Sequence, residues 1–238
     1  MRFNWIKIKL ILLLVLISGL FYSTVSVNNL RDIKSTNIYM DSYENLFISK
    51  DSIANVILEI VTNKKINKSN VHINNLEFEL NKIELISRSD VFIDVNGNMS
   101  VNIKQRKPIA RFLDNKYYLD EEGLLMPKSK DYSARVPVIV GFNNNEKQLK
   151  SIYKLSNFIY KDEFLSKNIT EIRIDSTNNF SIKLRTHKFK ISIGRLNKLS
   201  AKVNNFKAFY VKAIKDELLD KYSTINLQFD NQVVCVKK

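Results

Sequence analysis

The chain has 238 residues, 45% of them hydrophobic and 26% charged, with 38 lysines and arginines against 24 acids and a formal net charge of +14. Its one cysteine, Cys235, excludes an internal disulfide, and with only His72 and His187 beside it there is no zinc ligand set. Five scattered glycines leave no phosphate-cradling loop.

Residues 10–27 (LILLLVLISGLFYSTVSV) carry no charge, and Ile6 and Ile8 extend the run. At ~1.5 Å per residue, about 18 to 20 such residues cross a hydrocarbon core of ~30 Å. A core helix without any polar face over this length would be unusual. Arg2, Lys7 and Lys9 precede the run with no acid among them, while Arg31 and Asp32 follow with mixed sign. That asymmetry predicts the N-terminus inside and the bulk outside, with Trp5 and Tyr22 at the headgroups. A cleavable signal peptide is the alternative, but its site would be Thr24-Val25-Ser26, a poor small-x-small match. Either way the soluble part lies across a membrane. There the positive charge reads first as a generally basic, solvated surface and, as a functional alternative, as an attraction for anionic headgroups or an acidic partner; nucleic acid is not expected.

About 210 residues follow the anchor, enough for one large or two small domains. Residues 28–36 read as a polar linker, and Ile38-Tyr39-Met40 opens an extended segment reaching Phe47-Ile48. Ser49 is the candidate cap of a helix whose face is Ile53, Val56, Ile57, Ile60 and Val61. Ile73, Leu76, Leu80 and Ile83 define a second helix. Residues 91–95 alternate as a strand, Asn96-Gly97-Asn98 turns the chain, and residues 99–104 return. Strand, helix, helix, strand, strand makes a small α/β unit, closed by Pro108.

Beyond it, residues 109–112 and 117–119 predict a hairpin turning at Asp114-Asn115. Asp120-Glu121-Glu122-Gly123 is read as a solvated turn and residues 136–141 as a short buried strand. Leu149, Ile152, Leu155 and Ile159 predict an amphipathic helix, followed by strands over 169–174, 180–184 and 189–193. A long helix over 198–222 presents Leu199, Val203, Phe206, Tyr210 and Ile214, and two extended segments, 223–229 and 232–236, finish the chain. Cys235 is read as a buried, inert thiol. No serine sits in a nucleophile-elbow turn and neither histidine has a convincing partner, so no enzyme is expected and no cofactor is called for.

The string VNIKQRKPIARF, then YYLDEEGLLMP, then ARVPVIVG resembles the FtsQ/DivIB family of bacterial division proteins. Arg106-Lys107-Pro108 matches the family's Arg-x-Pro-type strand end, residues 118–123 its Asp-x-x-Gly hairpin, and residues 136–141 its Pro-bearing strand. Downstream, Gly194-Arg195 matches a Gly-Arg pair before the long helix, and YSTINLQFD a closing strand. The order and spacing of these motifs carry the resemblance, and residues 229–236 are most like members from the Bacteroidetes. Residues 40–45 depart from the family in lacking the glycine of its first turn.

The resemblance implies an α+β fold: cytoplasmic tail 1–9, transmembrane helix 10–27, linker 28–35, a POTRA domain (βααββ) over 36–108 and a β-domain over 109–238 that ends in an edge strand. It implies a non-enzymatic inner-membrane scaffold of the divisome, located at the septum. Such a scaffold binds the bitopic coiled-coil proteins FtsB and FtsL and helps control septal wall synthesis. The implied contact residues are Arg195, Gln228, Phe229, Asp230, Asn231, Gln232, Val233 and Val234. An edge strand offers unpaired main-chain groups, and the acid-free, lysine-rich run 176–215 would steer an acidic partner. Another POTRA-bearing envelope assembly or secretion component is the alternative; it predicts tandem small domains or a β-barrel, and neither is visible in the sequence.

Overall fold

The computed structural model describes residues 5–29, 32–41, 47–61, 71–114 and 117–238. The first element, α1 (Trp5–Asn29), extends beyond the expected span at both ends. Its stretch Trp5–Ser26 is long and apolar enough to cross a membrane. Ser18 and Thr24 return their hydroxyls to the carbonyls of Val15 and Leu20, so neither leaves a donor unmet within this apolar helix. The remaining chain falls into two units that divide at Gln105 and Arg106, three residues before the expected Pro108 boundary.

The first unit holds β1 (Ser35–Met40), α2 (Lys50–Val61), α3 (Ile73–Asn81), β2 (Ile86–Ile93) and β3 (Asn98–Gln105). Its sheet has the order β1-β3-β2, with β1 parallel and β2 antiparallel to β3. Ile53 and Ile57 of α2 and Leu76 and Leu80 of α3 stand one turn apart and bury against Met40, Val91, Met99, Val101 and Ile103. Ser49 caps α2 as expected, its Oγ accepting from the Ser52 amide at 3.1 Å. Strand β2 differs from the expected 91–95. It starts at Ile86 and ends at Ile93, because Asp94 leaves the ladder and accepts the Asn96 and Asn98 amides, each at 2.8 Å. Gly97 follows at φ 89°. The extended segment that opens at Ile38 is described as strand only to Met40; residues 42–46 lie outside the described residues.

The second unit contains β4 (Pro108–Phe112), β5 (Tyr117–Asp120), β6 (Leu125–Pro127), β7 (Val138–Val140), α4 (Glu146–Lys161), α5 (Glu163–Asn168), β8 (Ile169–Ile174), β9 (Phe180–Leu184), β10 (Lys190–Gly194), α6 (Leu199–Lys215), β11 (Tyr222–Asn226) and β12 (Val234–Lys237). The strands form one sheet in the order β12-β11-β10-β9-β8-β7-β4-β5-β6. The register aligns Phe112, Ile139, Ile172, Ile182, Ile191, Ile225 and Cys235 in one row across seven strands. That row shares a core with Ile152, Leu155 and Ile159 of α4, Leu165 of α5, and Val203 and Phe206 of α6. The alternate row, Arg111, Val138, Glu171, Lys183, Lys190, Thr224 and Val236, is polar or half-exposed and faces away.

Asp120 corrects the reading of a solvated acidic turn. It is buried, its Oδ2 accepts from Arg106 Nε at 2.7 Å, and its Oδ1 accepts the Glu122 and Leu124 amides. Helix α5 has no periodic signal because only Leu165 among its six residues is buried. Asp162 makes it by closing α4 and capping α5 through the Leu165 amide, while Lys207 of α6 holds the same carboxylate.

The long helix also stops early. Its buried face runs Leu199, Val203, Phe206, Tyr210 and Ala213, so the four-three alternation reaches Ala213 and leaves Ile214 half-exposed. Glu217 takes φ 52°, the Leu218 amide bonds back to the Ala213 carbonyl and the Glu217 amide to that of Ile214. This left-handed cap ends the helix and folds Leu219 into the core through a 3-10 turn (Leu219–Lys221) before β11.

Candidate functional site

Strands β10 and β11 are parallel, so both end at the same side of the sheet. The turn carrying Arg195 therefore lies beside the connection 227–233, although 32 or more residues separate them in sequence. The Leu227 amide donates to Ser192 O at 2.8 Å and extends the pairing. Gln228 Nε2 donates to Ser192 Oγ at 2.8 Å, and the Gln228 side chain lies across Gly194. A Cβ on Gly194 would stand 2.7 Å from Gln228 Cγ, and its φ is 68°. Close approach and a left-handed backbone both require glycine there, which accounts for the Gly-Arg pair.

The connection itself is a turn, with Asn231 at φ 58°. The extended readings of 223–229 and 232–236 are corrected accordingly: the strands cover Tyr222–Asn226 and Val234–Lys237 only. Of the expected contact residues, Gln228, Phe229, Asp230, Asn231 and Gln232 belong to the connection, Val233 packs onto the core, and Val234 alone lies in the edge strand. Phe229 is 48% exposed, and Asp230 Oδ2 accepts from Lys198 Nζ at 2.8 Å. Both partners of that bridge are mostly exposed. Lys198→Ala should therefore leave the thermal midpoint of the full chain unchanged within error, as a melting curve would show.

Arg195 is exposed, and among the described residues no carboxylate lies within ion-pair distance of it. Its position is fixed from beneath. Lys202 is buried, and its ammonium donates to the carbonyls of Ile193 at 3.0 Å and Arg195 at 2.8 Å and to Asn197 Oδ1 at 3.1 Å. Burial pulls the Lys202 pKa below the ordinary lysine value, Asp230 opposes that pull and Lys198 adds to it. Lys202 belongs to the lysine-rich run 176–215, and its type alone argues for the solvated surface. Its signal was present: three residues after Leu199 and one before Val203, it falls at the flank of the buried stripe of α6.

The remaining cations of the acid-free run do not form one uniform face. Lys183 pairs with Glu171 at 2.9 Å, Lys207 with Asp162 and Lys198 with Asp230.

Strand β12 pairs antiparallel with β11, Ile225 opposite Cys235 and Asn226 opposite Val234. It closes the sheet order and so leaves one side of its backbone open. The Lys238 amide donates to Lys221 O. By alternation the Val236 amide also faces β11, and the Cys235 amide faces outward. Side chains alternate too: Val233 and Cys235 turn to the core, Val234 and Val236 to solvent. Burial pushes the Cys235 thiol up from its ordinary value.

Fold and site together define a class: an α+β chain with one N-terminal apolar helix fit for single-pass anchoring and a sheet whose last strand lies at an open edge. A family model described as FtsQ/DivIB, C-terminal related matches residues 107–236, most of the second unit and more than half of the chain. The chain belongs to the FtsQ/DivIB family, a family of non-catalytic scaffolds, and its role is in cell division. No curated protein matches it significantly.

Proposed function

We propose that the chain is a bitopic divisome scaffold. Helix α1 crosses the inner membrane with its N-terminus in the cytoplasm, and both folded units stand in the periplasm at the septum. The second unit binds FtsB- and FtsL-like coiled-coil proteins by strand addition at β12 and thereby helps control septal wall synthesis. The observation that carries this reading is the open edge of β12, with its outward Cys235 amide between the exposed Val234 and Val236. Backbone pairing supplies affinity, and outward side chains supply selectivity. Arg195 and the 227–233 connection sit at the end of the neighbouring strands, where a free guanidinium can hold a partner carboxylate bidentately. The first unit, with its strand-helix-helix-strand-strand order, acts as the POTRA domain that recruits the chain to the septum.

The test is the affinity of the full-length chain, in detergent, for a periplasmic FtsB segment. Cys235→Pro deletes an outward amide and leaves the β11 ladder intact, Val236→Glu charges the outward face, and Phe229→Lys and Arg195→Glu probe the end of the site. Each should weaken binding by about tenfold or more, roughly 1.4 kcal/mol. Wild-type affinity in all four variants would sink the proposal. Septal localisation of a chain lacking 36–107 tests the recruiting role separately.

A further inference from the structure

Two sheets expose four edges, and three of them are obstructed or already assigned. Strand β6 is three residues long and ends in Pro127. Strand β12 is the edge assigned above. Strand β2 is roofed by α3: Asn81 Oδ1 accepts the Ser89 amide at 2.8 Å and Glu77 Oε1 accepts the Val91 amide at 2.7 Å. These are the amides that a strand added to β2 would need, and Arg88 and Asp90 charge the same strand.

Strand β1 has none of these devices. Its sequence, STNIYM, carries no charge and no proline, and its pairing with β3 runs without a register shift. The Asp41 amide donates to Ile103 O at 3.1 Å. In a parallel ladder the main-chain groups of Tyr39 and Asn37 then face β3 as well, and those of Ile38 and Met40 face outward. Among the described residues neither outward amide has an acceptor. Ser35, Thr36, Asn37 and Tyr39 are exposed and Ile38 is half-buried; only Met40, at the end of the strand, has its side chain buried in the core. Ile38 belongs to the first core yet remains half-buried, which leaves an apolar position beside the edge incompletely covered.

We infer that β1 is a second strand acceptor, whose occupant is the uncharged, extended juxtamembrane segment of another membrane-anchored chain. The occupant follows from chain length and charge. Helix α1 ends at Asn29 and β1 starts at Ser35, so at about 3.3–3.6 Å per residue the edge lies within roughly 20 Å of the helix end. Only a segment leaving the same membrane nearby stays at high effective concentration there. The uncharged edge selects a segment with an apolar residue for Ile38 on the core side and a flat or polar one for Tyr39 on the open side. The inference uses α1 as an anchor and is independent of what binds β12.

The test uses the full-length chain in lipid nanodiscs and an eight-residue peptide of alternating valine and threonine as probe. Excess peptide should slow hydrogen exchange at the Ile38 and Met40 amides by about tenfold or more, leaving β12 amides unchanged. Ile38→Pro removes an outward amide without touching the ladder, and Asn37→Lys adds a charge at an exposed position; both should abolish the protection of the Met40 amide. In native membranes, a photoreactive phenylalanine at Asn37 should cross-link to another anchored protein within about ten residues of its transmembrane helix. Ile38→Pro should remove that adduct. Adducts only with a second copy of this chain, or protection that survives both substitutions, would overturn the proposal, as would no protection at all.

Discussion

Replacing Asp120 with alanine should lower the stability of the second unit by about 3–5 kcal/mol, the usual loss when one partner of a buried ion pair is removed. Arg106 would be stranded with its side chain only 11% exposed. The Glu122 and Leu124 amides would lose their acceptor in the same step, and the β5–β6 turn its internal brace. Arg106 Nη2 also donates to Leu125 O at 3.1 Å, so the pair ties the entrance of β4 to β6, two strands away. Chemical denaturation of the full chain, read as a shift in midpoint at constant slope, measures the loss. Glu122→Ala is the control: this exposed neighbour should change stability by less than about 0.5 kcal/mol. Equal effects of the two substitutions would show that the acidic turn is a solvated cluster after all.

The second large effect is expected at Lys202. Lys202→Met keeps the aliphatic stem and removes the ammonium, leaving the Ile193 and Arg195 carbonyls without their donor. One buried acceptor and one part-buried acceptor left unmet cost about 2–4 kcal/mol together. The functional consequence is separate from the stability loss. The Arg195 turn loses its brace, so affinity for a periplasmic FtsB segment should fall below wild type even under conditions where the variant is fully folded. Lys198→Met, one turn earlier and mostly exposed, should do neither. If Lys202→Met binds as tightly as wild type while folded, Lys202 supports the core alone and does not position the recognition end.

These two residues show where sequence reading stops. Period-two alternation located β8, β9 and β10 because each strand sets its apolar residues in the core and its polar ones on a less buried face. Apolar spacing located α4 for the same reason. Asp120 stayed hidden because its type argues for solvent and only its partner, 14 residues away, argues for burial; Lys202 stands at the flank of the buried α6 stripe, but its type argues for solvent against that position. Strand β7 was legible as apolar, but its parallel seat between β4 and β8 was not, since no local pattern encodes a crossover. The edge was legible in outline and misplaced in detail. Residues 223–229 and 232–236 read as extended, while the strands cover only Tyr222–Asn226 and Val234–Lys237, Asn231 turns the chain between them, and the outward side chains are Val234 and Val236.

Cys235 sits on the strand where a partner is proposed to lie, and two such edges meeting would bring two thiols together. The side chain turns to the sheet's core, and burial pushes its thiol up from the ordinary value. The outward side chains of the strand are Val234 and Val236, so the sulfur lies on the face turned to the core. Under the proposed strand addition, the contact is carried by main-chain hydrogen bonds, without a step that needs the thiol.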